Sequence, residues 1–79
     1  MTLFHYEKQG NAWYEVFEGK YKDDEAILQT MKRAMKEDDL NIKGVEHNFN
    51  LNCTTIYTNI KDNFFRIYGA LISEEKVVN

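Results

Sequence analysis

Residues 23–38, Asp-Asp-Glu-Ala-Ile-Leu-Gln-Thr-Met-Lys-Arg-Ala-Met-Lys-Glu-Asp, are the one stretch of this chain with a helical period. Ile27, Leu28, Met31, Ala34 and Met35 recur at i, i+1, i+4, i+7 and i+8, which lines them along one stripe of an amphipathic helix. Asp23 or Asp24 supplies the N-cap, and the acidic first turn suits the positive end of the helix dipole. Lys32, Arg33 and Lys36 fall toward the negative end, where cations are favoured. Asn41 or Gly44 is expected to stop the helix through a left-handed residue.

Outward from the helix the period changes to two. Residues 2–8 read as a strand, Gln9-Gly10-Asn11 as a tight turn and residues 12–18 as the returning strand of a hairpin. Beyond the helix, Val45, His47, Phe49 and Leu51 alternate with Glu46, Asn48, Asn50 and Asn52, as a strand with one apolar and one polar face does. Residues 53–60 and 64–72 supply two further strands around a Lys61-Asp62-Asn63 turn. The element order is ββαβββ. The expected fold is α+β: an antiparallel sheet of about five strands with one amphipathic helix on one face. Residues 1–72 form the single domain, and 73–79 are expected as a flexible tail.

Size and composition narrow the classes of function. A chain of 79 residues is one domain and buries only about 60–65% of its unfolded surface. A single cysteine, Cys53, allows no internal disulfide, so the five Phe, five Tyr and one Trp must carry much of the packing. The lone thiol and a start without a basic or long apolar run point to a cytoplasmic protein, with no signal peptide and no membrane span. A net charge of −3 argues against nonspecific nucleic-acid binding, which calls for a basic stripe. It is also far too small to mimic a nucleic-acid backbone, with one charge per ~1.7 Å of duplex.

No motif carries catalysis or a cofactor. His47 lies on the apolar phase of its strand, and His5 sits between Phe4 and Tyr6; both read as packed histidines. Cys53 and His47 are close enough in sequence to be cross-strand neighbours, but nothing supplies an oxyanion hole or a cleft. His5, His47 and Cys53 lack the short-spaced pairs of a zinc site. Asp38-Asp39-Leu40-Asn41 lacks the calcium-loop pattern. The expectation is no enzyme, no metal and no cofactor.

What the sequence does offer is surface. One helix covers one side of a sheet. If Val45, Phe49, Ile56, Ile60, Phe65, Ile67 and Leu71 turn toward it, the pleat sends Tyr57, Phe64, Arg66 and Tyr68 to the other side. Trp13 and Phe17 oppose Tyr14 and Val16 in the second strand, so it cannot hide both sets. Trp13, Tyr57, Phe64, Arg66 and Tyr68 are therefore the candidate anchors of a binding face, because Trp, Tyr and Arg dominate interface hot spots. Lys32, Arg33 and Lys36 form a second, charge-selective surface.

The function expected is that of a small binding protein that inhibits or modulates a macromolecule. A protein is the expected partner, with homodimerisation as another use of the face and no small-molecule substrate. Small inhibitors carried by phages and other mobile elements are similar in size and composition. The alternative is a single-stranded nucleic-acid module, since rings on an open sheet can stack bases. Residues 64–69, Phe-Phe-Arg-Ile-Tyr-Gly, do not match the RNP1 pattern, and the second helix of that fold is missing from the element order.

Overall fold

The computed structural model describes the backbone of all 79 residues and every side chain except those of Val16, Phe17 and Glu18. The expectation that Val16 and Phe17 point to opposite sides therefore falls outside the described residues. Five strands run antiparallel: β1 (Thr2–Gln9), β2 (Ala12–Lys20), β3 (Ile42–Asn48), β4 (Cys53–Thr58) and β5 (Asn63–Tyr68). Their spatial order is β2-β1-β5-β4-β3. The helix α1 (Asp24–Glu37) joins the two edge strands, β2 and β3. The first and last strands are thus central neighbours, and the chain between them must cross the full width of the sheet.

Local chemistry sets the ends of α1. Asp23 is the N-cap, its side chain accepting the Ala26 N–H at 2.9 Å. At the other end the left-handed residue is Asp39 (φ 58), rather than Asn41 or Gly44. The Leu40 N–H reaches the Met35 carbonyl at 2.7 Å and the Asp39 N–H reaches Lys36 at 3.3 Å, the paired closure of a Schellman end. Leu40 is buried as this cap completes.

The core lies between α1 and one face of the sheet. Ile27, Leu28, Met31 and Met35 meet Leu3, Ile56, Phe65 and Ile67 there, joined by Val45 and Ile42 at the edge. Register explains the choice: Leu3 pairs with Ile67, His5 with Phe65, and Ile56 with both Phe65 and Val45, so alternate residues of adjacent strands share this face.

Three residues expected in this core lie outside it. Phe49 is 79% exposed at the tip of the β3–β4 turn, and Ile60 and Leu71 are also exposed. The strands end at Asn48, Thr58 and Tyr68, before each of these positions, so the period-two alternation no longer assigns a face. The β3–β4 tip is tightly built. Asn48 accepts the Leu51 N–H at 3.1 Å, Asn52 takes φ 50, and its carbonyl accepts the Gly69 N–H at 2.8 Å.

The residues read as a tail carry a short second helix, α2 (Glu74–Val78), capped by Ser73. Ile72 and Val77 are wholly buried and complete the core on the side of β3. Buried Thr54 fastens this segment, donating to the Ala70 carbonyl and accepting the Ile72 N–H, both at 2.9 Å. A ring nitrogen of His47 meets the Ile72 carbonyl, and Lys76 pairs with Asp24 of α1 at 3.1 Å.

Two substitutions check this division of core and turn. Ile56→Val is expected to lower the unfolding free energy by about 1 kcal/mol. Phe49→Ser should change it by less than about 0.5 kcal/mol, as surface changes do. Urea denaturation followed by circular dichroism measures both, and a larger loss for Phe49→Ser would place that ring in the core.

Candidate functional site

The pleat that turns Leu3, His5, Phe65 and Ile56 toward α1 turns their neighbours the other way. Tyr6 pairs with Phe64, Phe4 with Arg66 and Thr2 with Tyr68 across β1 and β5. Across β4 and β5, Tyr57 pairs with Phe64, Thr55 with Arg66 and Cys53 with Tyr68. Trp13 stands opposite Lys8 in β2. All five candidate anchors, Trp13, Tyr57, Phe64, Arg66 and Tyr68, therefore lie on the face away from the helix.

They form one connected cluster centred on Phe64. Its ring lies 5.3 Å from Tyr6, 5.5 Å from Trp13 and 6.0 Å from Tyr57 between centroids. Phe4 extends the cluster, stacking on Tyr6 and meeting the edge of Tyr68, each at 5.6 Å. Arg66 lies over the Phe64 ring, 5.0 Å from its centroid, and donates to Thr55 at 3.1 Å and to the Tyr68 hydroxyl at 3.4 Å. Phe4 and Tyr6 were not among the residues singled out from the sequence. Their alternation with buried His5 was the available signal, since a histidine on the core phase puts both neighbouring rings on the open face.

Exposure within the cluster is graded. Phe4, Tyr6, Phe64, Arg66 and Tyr68 are half-buried by one another, whereas Trp13 is 50% and Tyr57 38% exposed. These two rings flank a groove of about 560 Å³ at the end of the sheet, with Phe64 in its floor and Ile60, Lys43 and Lys61 along its sides. A register shift between Ile42 and Gly44 sets Lys43 at this edge.

The Tyr57 hydroxyl points at Glu46, 3.5 Å from its carboxylate. Burial first, and then the Glu46 charge, push the Tyr57 pKa above its ordinary value, while Arg66 pulls it down. The fold thus favours the protonated phenol. Its contribution to stability is complete below the ordinary phenol pKa and is lost as pH rises through the raised value.

The basic surface is elsewhere. Lys32, Arg33 and Lys36 ride on α1, on the side of the sheet opposite the rings. Lys32 and Lys36 border a hollow of about 580 Å³ with Asp39 and Leu40. It mixes charges of both signs and contains no aromatic ring. The structure does not bring the two candidate sets together, so one flat partner cannot touch both.

The groups weighed for chemistry are occupied otherwise. His5 is buried, shares a 2.9 Å hydrogen bond with the Asn63 side chain and stacks on Phe65 with ring centroids 4.0 Å apart. His47 pairs with Thr54, and the next pair in the ladder is Asn48 with Cys53. Cys53 and His47 thus face opposite sides of the sheet and do not form a nucleophile–base pair. Among the described residues, no group of three or more His, Cys, Asp or Glu side chains could hold a metal ion, and no helix is long and apolar enough to cross a membrane. No family model, curated protein or solved structure matches the chain.

The Tyr57–Glu46 contact has a measurable signature. Glu46→Gln should lower the Tyr57 titration midpoint while leaving it above that of a free phenol, because burial is the larger cause. NMR of ring-labelled tyrosine across alkaline pH follows the shift; a midpoint unmoved by Glu46→Gln would remove that carboxylate from the account.

Proposed function

We propose that this chain is a small binding protein that inhibits or modulates a macromolecular partner by covering it with the aromatic sheet face. The observation that carries the reading is the gradient of exposure across the ring cluster. Its centre is packed and preorganised, while Trp13 and Tyr57 at its rim stay open to solvent. Rings held in place by their neighbours lose little conformational entropy on binding, which is why Trp and Tyr dominate interface hot spots. A protein is the partner favoured. Single-stranded nucleic acid is the weaker reading, because the carboxylates of Glu15, Glu46 and Asp62 stand beside the same rings.

The setting proposed is the reducing cytoplasm, where a buried, unpaired Cys53 thiol is at ease. Small size, an aromatic contact face and the lack of a recognised catalytic constellation suit a stoichiometric inhibitor of the kind carried by phages and other mobile elements. Homodimerisation would use the same face, and light scattering at micromolar concentration distinguishes it.

The test is capture of partners from the native host on three baits: wild type, Trp13→Ala/Tyr57→Ala and Arg33→Ala/Lys36→Ala. The ring variant should lose the partner by about 30-fold or more, the scale of a hot-spot pair. Its melting temperature should fall by several degrees, because both rings pack on Phe64, while its circular dichroism spectrum stays native. The helix variant should retain the partner. A partner held by the ring variant and lost by the helix variant would contradict the reading.

A further inference from the structure

We propose that the groove between Trp13 and Tyr57 takes an acidic peptide segment that carries one apolar anchor side chain. This rests on the reading of the open face as a protein-binding surface and names the chemistry its partner presents there.

The floor suits an inserted side chain better than a stacked base. Trp13 and Tyr57 are tilted 59° and 53° to Phe64, so the three rings are not coplanar and form no flat platform. Ile60 adds an aliphatic wall, and a volume of about 560 Å³ admits a Phe or Leu side chain with its flanking backbone.

The rim sets the charge of the occupant. Lys43 and Lys61 line the groove. Lys8, paired with Trp13 across β1 and β2, is a third lysine on this face, outside the groove lining; its backbone N–H donates to the Asp62 carbonyl at 2.9 Å. Among the described residues the ion pair is Lys76–Asp24, on the other side of the molecule, and none of these three lysines forms an ion pair with a described residue. Asp62 is the one carboxylate in the groove lining. Glu46, 3.5 Å from the Tyr57 hydroxyl, and Glu15, opposite Tyr6, stand beside the same rings but outside the groove lining. A positive rim around an apolar floor, on a chain of net charge −3, is complementary to carboxylates flanking an apolar residue. A nucleic-acid strand tracking along the rings would run past Glu46 and Glu15 as well as Asp62, whereas a short peptide seated between Lys43 and Lys61 meets only the Asp62 carboxylate of the lining. Three lysines are also few for a nucleic-acid track.

Trp13 is the one tryptophan in the chain, so its indole reports directly on the groove. The experiment titrates isotope-labelled protein at low salt with the blocked pentapeptides Asp-Glu-X-Asp-Glu, where X is Phe, Leu, Ile or Trp. Controls are the X = Ala peptide, the Lys-Lys-X-Lys-Lys series and a thymidine oligonucleotide. The expected result is movement of the Trp13 indole and the Lys61 and Asn63 amide signals by at least one acidic peptide. Its affinity should exceed that of its lysine counterpart by about tenfold, fall in high salt, and disappear with X = Ala. Lys43→Glu/Lys61→Glu should reverse the charge preference with little change in melting temperature, as both side chains are exposed.

Equal binding of the acidic and basic series, no shift at the groove with any peptide at millimolar concentration, or a preference for the oligonucleotide each overturns the proposal. The two readings fail separately. A partner lost from Trp13→Ala/Tyr57→Ala but unaffected by Lys43→Glu/Lys61→Glu keeps the face and removes the acidic segment. A partner indifferent to the ring variant removes the face itself.

Discussion

The width of the sheet governs this molecule. Strands spaced about 4.8 Å apart make a five-stranded sheet roughly 20 Å across, whereas a helix with its side chains is about 10–12 Å wide. α1 therefore cannot cover even its own side of the sheet. The segment Ala70–Ser73 and α2 cover the remainder toward β3, and with them the chain's helical material is used up on one side. The other side must be covered by its own side chains, and rings are the residues able to do this. Each large ring shields its neighbours, and a favourable ring pair adds about 0.5–1.5 kcal/mol beyond the area it buries.

Polar groups hold both layers in place. Thr54 is fully buried on the helix-facing side of the sheet, yet its hydroxyl is doubly used in fastening residues 70–72, so the cost of burying it is met by hydrogen bonds. Thr58 donates to the Asn63 backbone and meets the Asn63 side chain, which in turn holds His5, closing the end of the core beneath the β4–β5 turn. On the open face Arg66 plays the corresponding part, bridging Thr55, Tyr68 and the Phe64 ring. Among the described residues no buried side-chain nitrogen or oxygen lacks a partner. A ring cluster fixed from beneath in this way is preorganised, and preorganisation lowers the entropy lost on binding.

Much of this was legible in the sequence because parity can be counted. One helical stripe among alternating segments defined the α+β class and the ββαβββ order. The same alternation put Tyr57, Phe64, Arg66 and Tyr68 on one face. Counting fails where a strand ends: Phe49, Ile60 and Leu71 continue the period in letters but sit beyond Asn48, Thr58 and Tyr68. It also fails for residues 73–79, where α2 has the single buried anchor Val77 after Ser-Glu-Glu-Lys and so looks like a polar tail. The groove was invisible for a different reason. Trp13 reaches Phe64 only because β1 lies between β2 and β5, and strand order is a long-range property that local patterns do not encode.

The same one-sidedness separates the two charged regions. Basic residues on α1 and the lysines of the groove are on opposite sides of the molecule and address different surfaces. Oxidative footprinting of the dilute monomer, with side-chain labelling read by mass spectrometry, tests this arrangement most directly. The account predicts rapid labelling of Trp13 and Tyr57 with strong protection of Met31 and Met35, which lie wholly or almost wholly buried under α1. Protection of Trp13 and Tyr57 in the monomer, or labelling of Met31 and Met35 at comparable rates, would contradict it.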